Sequence, residues 1–278
     1  MRVVVLVVLA MALIVGGDAA GTVLTRAGVP QGFVAWTRFA LAAVIVLPFV
    51  GLRRGEVRQF TDLRLWLRAA LIAGGIVFIL TALRTEPMAN VFGGFFVGPI
   101  VAYILGALLL KERVTRLRSV LLAVSFAGVL IVVRPGGGMG IGMLFALIAG
   151  TFHGSYLVAT RWLAGEFRPR FLLWSQLVIG TVLLIPFAWS EVPPLGPYGL
   201  ILLILSALGS AGGNLILVIV NRTTPASVVA PLIYSQLVAA MIYGLAVFGD
   251  WPDATSLLGL VVIMAAGIAS VAIAGRGR

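Results

Sequence analysis

Apolar residues fill ten stretches of the chain, separated by short segments where charge, proline and glycine gather. The stretches run over residues 3–25, 33–52, 66–84, 90–110, 118–134, 141–163, 171–190, 198–220, 227–248 and 255–274. A helix crossing the hydrocarbon layer needs about 20 predominantly apolar residues, and most of these stretches supply them. In lipid the backbone amides must be satisfied within the segment itself, so each stretch is expected to be an α-helix. Composition agrees: 61% of the 278 residues are apolar and 10% charged, against about 25% charged in a soluble domain. The expectation is an all-α integral membrane protein with ten transmembrane helices. Its loops are too short to hold a soluble catalytic domain.

Charge sets the orientation. The net charge is +11, but its placement follows the loops. Arg2, the group Arg53, Arg54, Arg58, Arg64 and Arg68, and the group Lys111, Arg113, Arg116 and Arg118 fall in alternate loops. Arg161, Arg168 and Arg170, then Arg222, then Arg276 and Arg278 continue the series. The intervening loops hold Arg26, Arg84 and Arg134, and Arg38 lies inside a span. Excess Lys/Arg marks cytoplasmic loops, which places both N and C termini in the cytoplasm. The charge is topological, and no nucleic-acid partner is expected. Arg2 followed by Val3–Val15 and small residues also has the outline of a signal peptide. The repeat described next pairs that segment with a later span and argues for its retention.

Shifting the sequence against itself by 138 residues brings its halves into one ungapped register. Phe33 falls on Phe171, Trp36 on Trp174, Pro48-Phe49 on Pro186-Phe187 and Gly74-Gly75 on Gly212-Gly213. Arg84-Thr85 falls on Arg222-Thr223, Pro87 on Pro225, Gly106 on Gly244 and Glu112 on Asp250. The domains are therefore 1–138 and 139–278, each of five spans. An odd number of spans inverts the second copy. Inverted repeats are the architecture of alternating-access transporters, with substrate bound near the midplane between the copies.

The stretch Trp36–Phe39, the segment Thr85–Asn90 and the ending Leu109–Arg113 resemble the EamA family of the drug/metabolite transporter superfamily. Thr224–Ser227 and Phe248–Pro252 carry the resemblance into the second half, with Asp250 where the family more often has glutamate. The resemblance covers the whole chain. It implies ten helices with both termini inside, a multi-pass protein of a bacterial inner membrane, and secondary transport without ATP. Members move amino acids, nucleotide-like cofactors, vitamins and drugs. Export of amino acids or related metabolites is the leading expectation; uptake of an aromatic cofactor, vitamin or nucleoside-like solute is the alternative. A remote alternative is a membrane-embedded enzyme, but such enzymes cluster acids or histidines around a metal. Here nine acids are scattered, cysteine is absent, and His153 and Lys111 are single. A thiolate or multi-histidine metal site and a P-loop are thereby excluded. No cofactor is expected; the partners are the lipid bilayer and a small-molecule substrate.

Polar side chains inside spans are costly, which makes each a candidate for function. Asp18 and Arg38 lie about six or seven residues from the outer ends of helices one and two, roughly 10 Å deep. They can meet, either to serve a substrate or to pin the two helices. His153 sits near the midplane of helix six, with an unperturbed pKa of about 6.5. Asp18 and His153 are the proton-coupling candidates; an interhelical hydrogen bond is the bland reading of His153. Tyr156, the repeat mate of Asp18, lies one turn from His153 on the same face. Trp174, Gln176, Asn214, Tyr234 and Gln236 in the second half join the substrate-binding candidates, as do Trp36, Asn90 and Tyr103 in the first. Packing is the alternative for each. Gly94, Gly98 and Pro99 mark a hinge in helix four, since proline removes a backbone donor. Gly17/Gly21, Gly94/Gly98 and Gly209/Gly213 are spaced for close helix approach, within the chain or in a homodimer.

Overall fold

The computed structural model describes residues 2–111, 116–134, 139–163, 165–188, 194–223 and 232–276. Helices α1 (Arg2–Arg26) and α2 (Gln31–Val50) lead through a 3₁₀ turn (Glu56–Thr61) to α3 (Leu63–Ala82). Then follow α4 (Met88–Phe95), α5 (Val97–Leu109), α6 (Arg116–Val133), α7 (Ile141–Trp162) and α8 (Pro169–Ala188). The chain ends with α9 (Pro197–Thr223), α10 (Ser235–Tyr243), a wide-turn segment at Gly244–Phe248, and α11 (Ala254–Arg276). Among the described residues, seven helices are long and apolar enough to cross a membrane, counting Met88–Leu109 as one. Ser119–Val133, Ser235–Phe248 and Ala254–Ala269 are shorter apolar helices. Large apolar side chains such as Val44, Phe49, Leu108 and Val261 stand exposed around the bundle. Water would not tolerate such a belt; lipid does. Glu112, Trp189 and Thr224–Ser227 lie outside the described residues.

Small residues decide which helices touch, because without a hydrophobic drive between helices in lipid, close packing must hold them. Helix α1 packs on α9, α3 on α7, α2 on α8, and α6 on α11. The 138-residue shift carries α1 to α7 and α3 to α9, so the α1–α9 and α3–α7 contacts are counterparts. In detail, Gly213 abuts Ile14, while Gly75 abuts Phe152, the residues shifted by 138 from that pair.

The fourth apolar stretch, read from the sequence as one helix over 90–110, begins at Met88 and is interrupted at Phe96. Pro99 has no N–H, so the carbonyl of Phe95 loses its helical donor. That carbonyl faces Gly150 of α7, where a Cβ atom would lie 2.4 Å from it. The residue 138 further on, Tyr234, is likewise a turn, immediately before α10. The Phe96 and Tyr234 rings touch, with centroids 5.0 Å apart.

Candidate functional site

A cavity of about 890 Å³ occupies the middle of the bundle. Helix α1 contributes Ile14 and Asp18, α2 Arg38, and α3 Arg68, Ile72, Ile76 and Ile79. Opposite stand Phe92 and Phe95 of α4, and His153, Tyr156 and Thr160 of α7. Ser210, Asn214 and Leu217 of α9, with Ile233 and Gln236, complete the wall. Several of these are residues 138 apart: Asp18/Tyr156, Ile72/Ser210, Ile76/Asn214, Ile79/Leu217 and Phe95/Ile233. An annex of about 90 Å³ adds a further such pair, Arg38/Gln176. The cavity reaches the surface at the α7–α8 connection, Gly165–Pro169.

Its charges are held by geometry. Arg38 Nη1 donates to Asp18 Oδ1 at 2.5 Å, and both residues are buried. Arg68 donates from Nε to Thr160 Oγ1 (2.8 Å), from Nη1 to the Leu172 carbonyl (2.8 Å) and from Nη2 to Tyr156 Oη (3.0 Å). Tyr156 Oη in turn donates to Gln176 Oε1 at 2.8 Å. The Arg68 guanidinium also lies 4.8 Å from the Tyr156 ring centre. The charge pattern of the sequence placed Arg68 with the basic loop residues. It is instead in the second turn of α3, 3% exposed, because Asp62 caps that helix early by accepting from Arg64 N. His153 sits between the rings of Phe95 (5.0 Å) and Tyr156 (5.8 Å). Asn214 Nδ2 is tied to the Ser210 carbonyl at 2.8 Å.

Asp18, Arg38, His153, Tyr156, Asn214 and Gln236 thus share one cavity, with Gln176 in its annex. Trp36, Asn90, Tyr103, Trp174 and Tyr234 line neither. Trp36 packs beside Phe33, and its Nε1, like Asn90 Oδ1, is buried without a hydrogen-bond partner among the described residues. Tyr103 Oη pairs with Ser119 Oγ (3.1 Å), and Trp174 Nε1 donates to the Ala43 carbonyl (3.1 Å). The hinge candidates Gly94, Gly98 and Pro99 surround the interruption at Phe96.

The two ends of the bundle differ. At the open end, Arg168 donates from Nε to Glu56 Oε1 at 2.6 Å and from Nη2 to Oε2 at 2.7 Å. Glu166 pairs with Arg64 at 2.8 Å. The Arg168 hydrogen bonds hold the Glu56 carboxyl below its usual pKa. A depressed carboxylate adds stability that is present above the unfolded value, about 4.3, and lost as pH falls through the folded one. Glu56→Gln is therefore expected to flatten the fall in Tm below about pH 4.5, read by thermal unfolding in detergent across a pH series.

At the other end Arg26 ties three elements together. Its Nε donates to the Leu83 carbonyl (3.2 Å), Nη2 reaches Asp250 Oδ2 (3.5 Å), and the guanidinium lies 4.3 Å from the Phe248 ring centre. Arg134 and Asp253 form a second ion pair between the end of α6 and the start of α11.

The model of the EamA-like transporter family matches residues 1–134 and again 140–272. The chain belongs to this family. It is similar to the S-adenosylmethionine uptake transporter of Rickettsia felis, 27% identical over 242 residues that cover 84% of this chain and 80% of that one. It is also similar to the pseudopaline exporter CntI of Pseudomonas aeruginosa, 26% identical, covering 87% of each chain. The riboflavin transporter of Vibrio cholerae is 28% identical, covering 85% of this chain and 81% of that one. A crystal structure with 17% identity superposes on this EamA-like chain with a TM-score of 0.66, covering 96% of it and 94% of the other. That likeness is one of fold. Family, apolar helices and relatives together make the chain a multi-pass protein of the bacterial cell membrane and place it among transporters of small metabolites.

Proposed function

We propose that the chain is a secondary transporter that moves a small organic metabolite by alternating access. It has ten spans in two inverted five-helix repeats, 1–138 and 139–278, with both termini cytoplasmic. The observation that carries this reading is the cavity wall, which brings together five residue pairs 138 apart. Substrate would bind between the repeats and be exposed to either side as they rock. Asp18, Arg38, His153, Tyr156, Gln176, Asn214 and Gln236 would face it, and Asp18 and His153 are the groups placed to couple protons. The hinge would be the interruption at Phe96, with its counterpart at Tyr234. The leading substrate class is an amino acid or related metabolite, exported. Uptake of a cofactor-like solute is the second reading, favoured by the S-adenosylmethionine and riboflavin relatives.

The cavity wall extends to the basic α7–α8 connection and includes none of Arg26, Leu83 or Asp250, which we read as an inward-facing state. Asp250→Asn removes one anchor of Arg26 and is expected to move the population outward, measured as faster labelling of a cavity cysteine from the external side. The reading itself is tested by counterflow in proteoliposomes preloaded with unlabelled amino acids, S-adenosylmethionine or riboflavin. Transient accumulation of the matching labelled solute supports it. Uptake no faster than in protein-free vesicles, for the whole panel, would overturn it.

A further inference from the structure

Five charged side chains line the cavity: Asp18, Arg38, Arg68, Glu166 and Arg168. Four of them have a partner of opposite charge. Asp18 and Arg38 pair with each other, Glu166 with Arg64, and Arg168 with Glu56. Arg68 has none among the described residues; its three contacts are a hydroxyl, a carbonyl and a phenol. Arginine carries five N–H donors and keeps its charge in any protein environment. Three N–H groups are engaged, one on each nitrogen, so one N–H remains on each of Nη1 and Nη2. The rest of the wall near α3 and α4 is apolar: Ile72, Ile76, Ile79, Phe92 and Phe95.

A net positive charge on a buried wall, with unengaged N–H groups on Arg68 and an apolar surface beside it, selects one kind of solute. We propose that Arg68 binds the anionic oxygen group of the transported solute, a carboxylate or a phosphate monoester, whose apolar body lies against the isoleucines and phenylalanines. This rests on the transport reading and gives its substrate class. The chemistry is a charge-assisted hydrogen bond from the guanidinium, stronger than one between neutral groups. Thr160, Tyr156 and the Leu172 carbonyl hold the guanidinium in one orientation before the solute arrives, which lowers the cost of binding. Tyr156 also links Arg68 to Gln176, so the anion site spans α3, α7 and α8. A solute that lacks the anion would leave the guanidinium to be desolvated without a partner, and such sites reject the deficient analogue strongly.

The test uses full-length protein in nanodiscs and matched probes: 3-phenylpropionate with 3-phenylpropanamide, L-phenylalanine with L-phenylalaninamide, and 2-phenylethyl phosphate with 2-phenylethanol. Binding is read by ligand-dependent thermal stabilisation. The expected result is at least tenfold tighter binding of one anion than of its neutral mate, with the carboxylate and phosphate arms showing which anion is taken. Arg68→Gln should abolish that ratio, and Arg68→Lys should restore part of it. A purely structural Arg68 would change the Tm of the empty protein and leave the ratio untouched. Equal responses to every pair in the wild type, or no response at all, overturn the proposal without needing any variant. Counterflow keeps the two readings apart: no anion preference in the wild type with counterflow intact defeats only this inference. An anion preference without counterflow of any solute defeats only the transport reading.

Discussion

Arg38→Ala is expected to lower stability by about 3–5 kcal/mol, the largest single-residue effect in the molecule. Arg38 and Asp18 are both nearly inaccessible, at 3% and 4% exposure, and hold each other at 2.5 Å. Removing the guanidinium leaves a buried carboxylate without its partner. The double variant Asp18→Leu/Arg38→Leu should recover most of the loss, because a buried ion pair and a well-packed apolar pair of similar volume differ little in stability. Thermal unfolding in detergent measures both. Transport should stay lost in the double variant, because the pair lines the cavity. Recovery of transport along with stability would make it a structural pin and nothing more.

Gly154→Leu is expected to uncouple α5 from α7. A Cβ at position 154 would lie 2.3 Å from the Gly98 carbonyl oxygen, and one at 150 would lie 2.4 Å from the Phe95 carbonyl oxygen. Both obstacles are backbone, so no rotamer change relieves them, and the helices must separate. Overpacking of this kind costs about 1–3 kcal/mol, and more where the backbone cannot shift. The crossing flanks the interruption at Phe96, so the loss of transport should exceed the loss of folded protein. Comparing counterflow per folded molecule with Tm separates the two. By contrast Gly165→Ala, where a Cβ would meet nothing within 4 Å, carries only the strain of its left-handed backbone at φ +96°.

The helices were legible in the sequence because a long apolar run in lipid has one way to satisfy its backbone. A weak point near Gly94–Pro99 was legible too, because the missing N–H at Pro99 must leave a carbonyl free, but the break into two helices at Phe96 was not. Which side of each helix faces lipid, core or cavity was not. A helix apolar all round has no amphipathic stripe to read. Trp36, Tyr103 and Trp174 therefore looked equivalent to Tyr156, although only Tyr156 lines the cavity. Arg68 escaped because counting basic residues treats a guanidinium near a span end as a loop marker. Asp62, an N-cap residue six positions earlier, was the available sign that the helix had already begun. The repeat mate of Arg68 is likewise inside the bundle: Ser206 is fully buried and donates to the Gly17 carbonyl at 2.8 Å.

Alternating access between the repeats is tested most directly by cavity accessibility. The chain contains no cysteine, so Ile76→Cys and Asn214→Cys, repeat mates on the cavity wall, are single reporters without further engineering. Each is labelled with a membrane-impermeant maleimide in right-side-out and inside-out vesicles, with and without Asp250→Asn. Alternating access predicts that both cysteines react from the cytoplasmic side, and that Asp250→Asn shifts both together toward reaction from the outside. Cysteines that react from one side only under every condition, or mates that open to opposite sides at once, would contradict it.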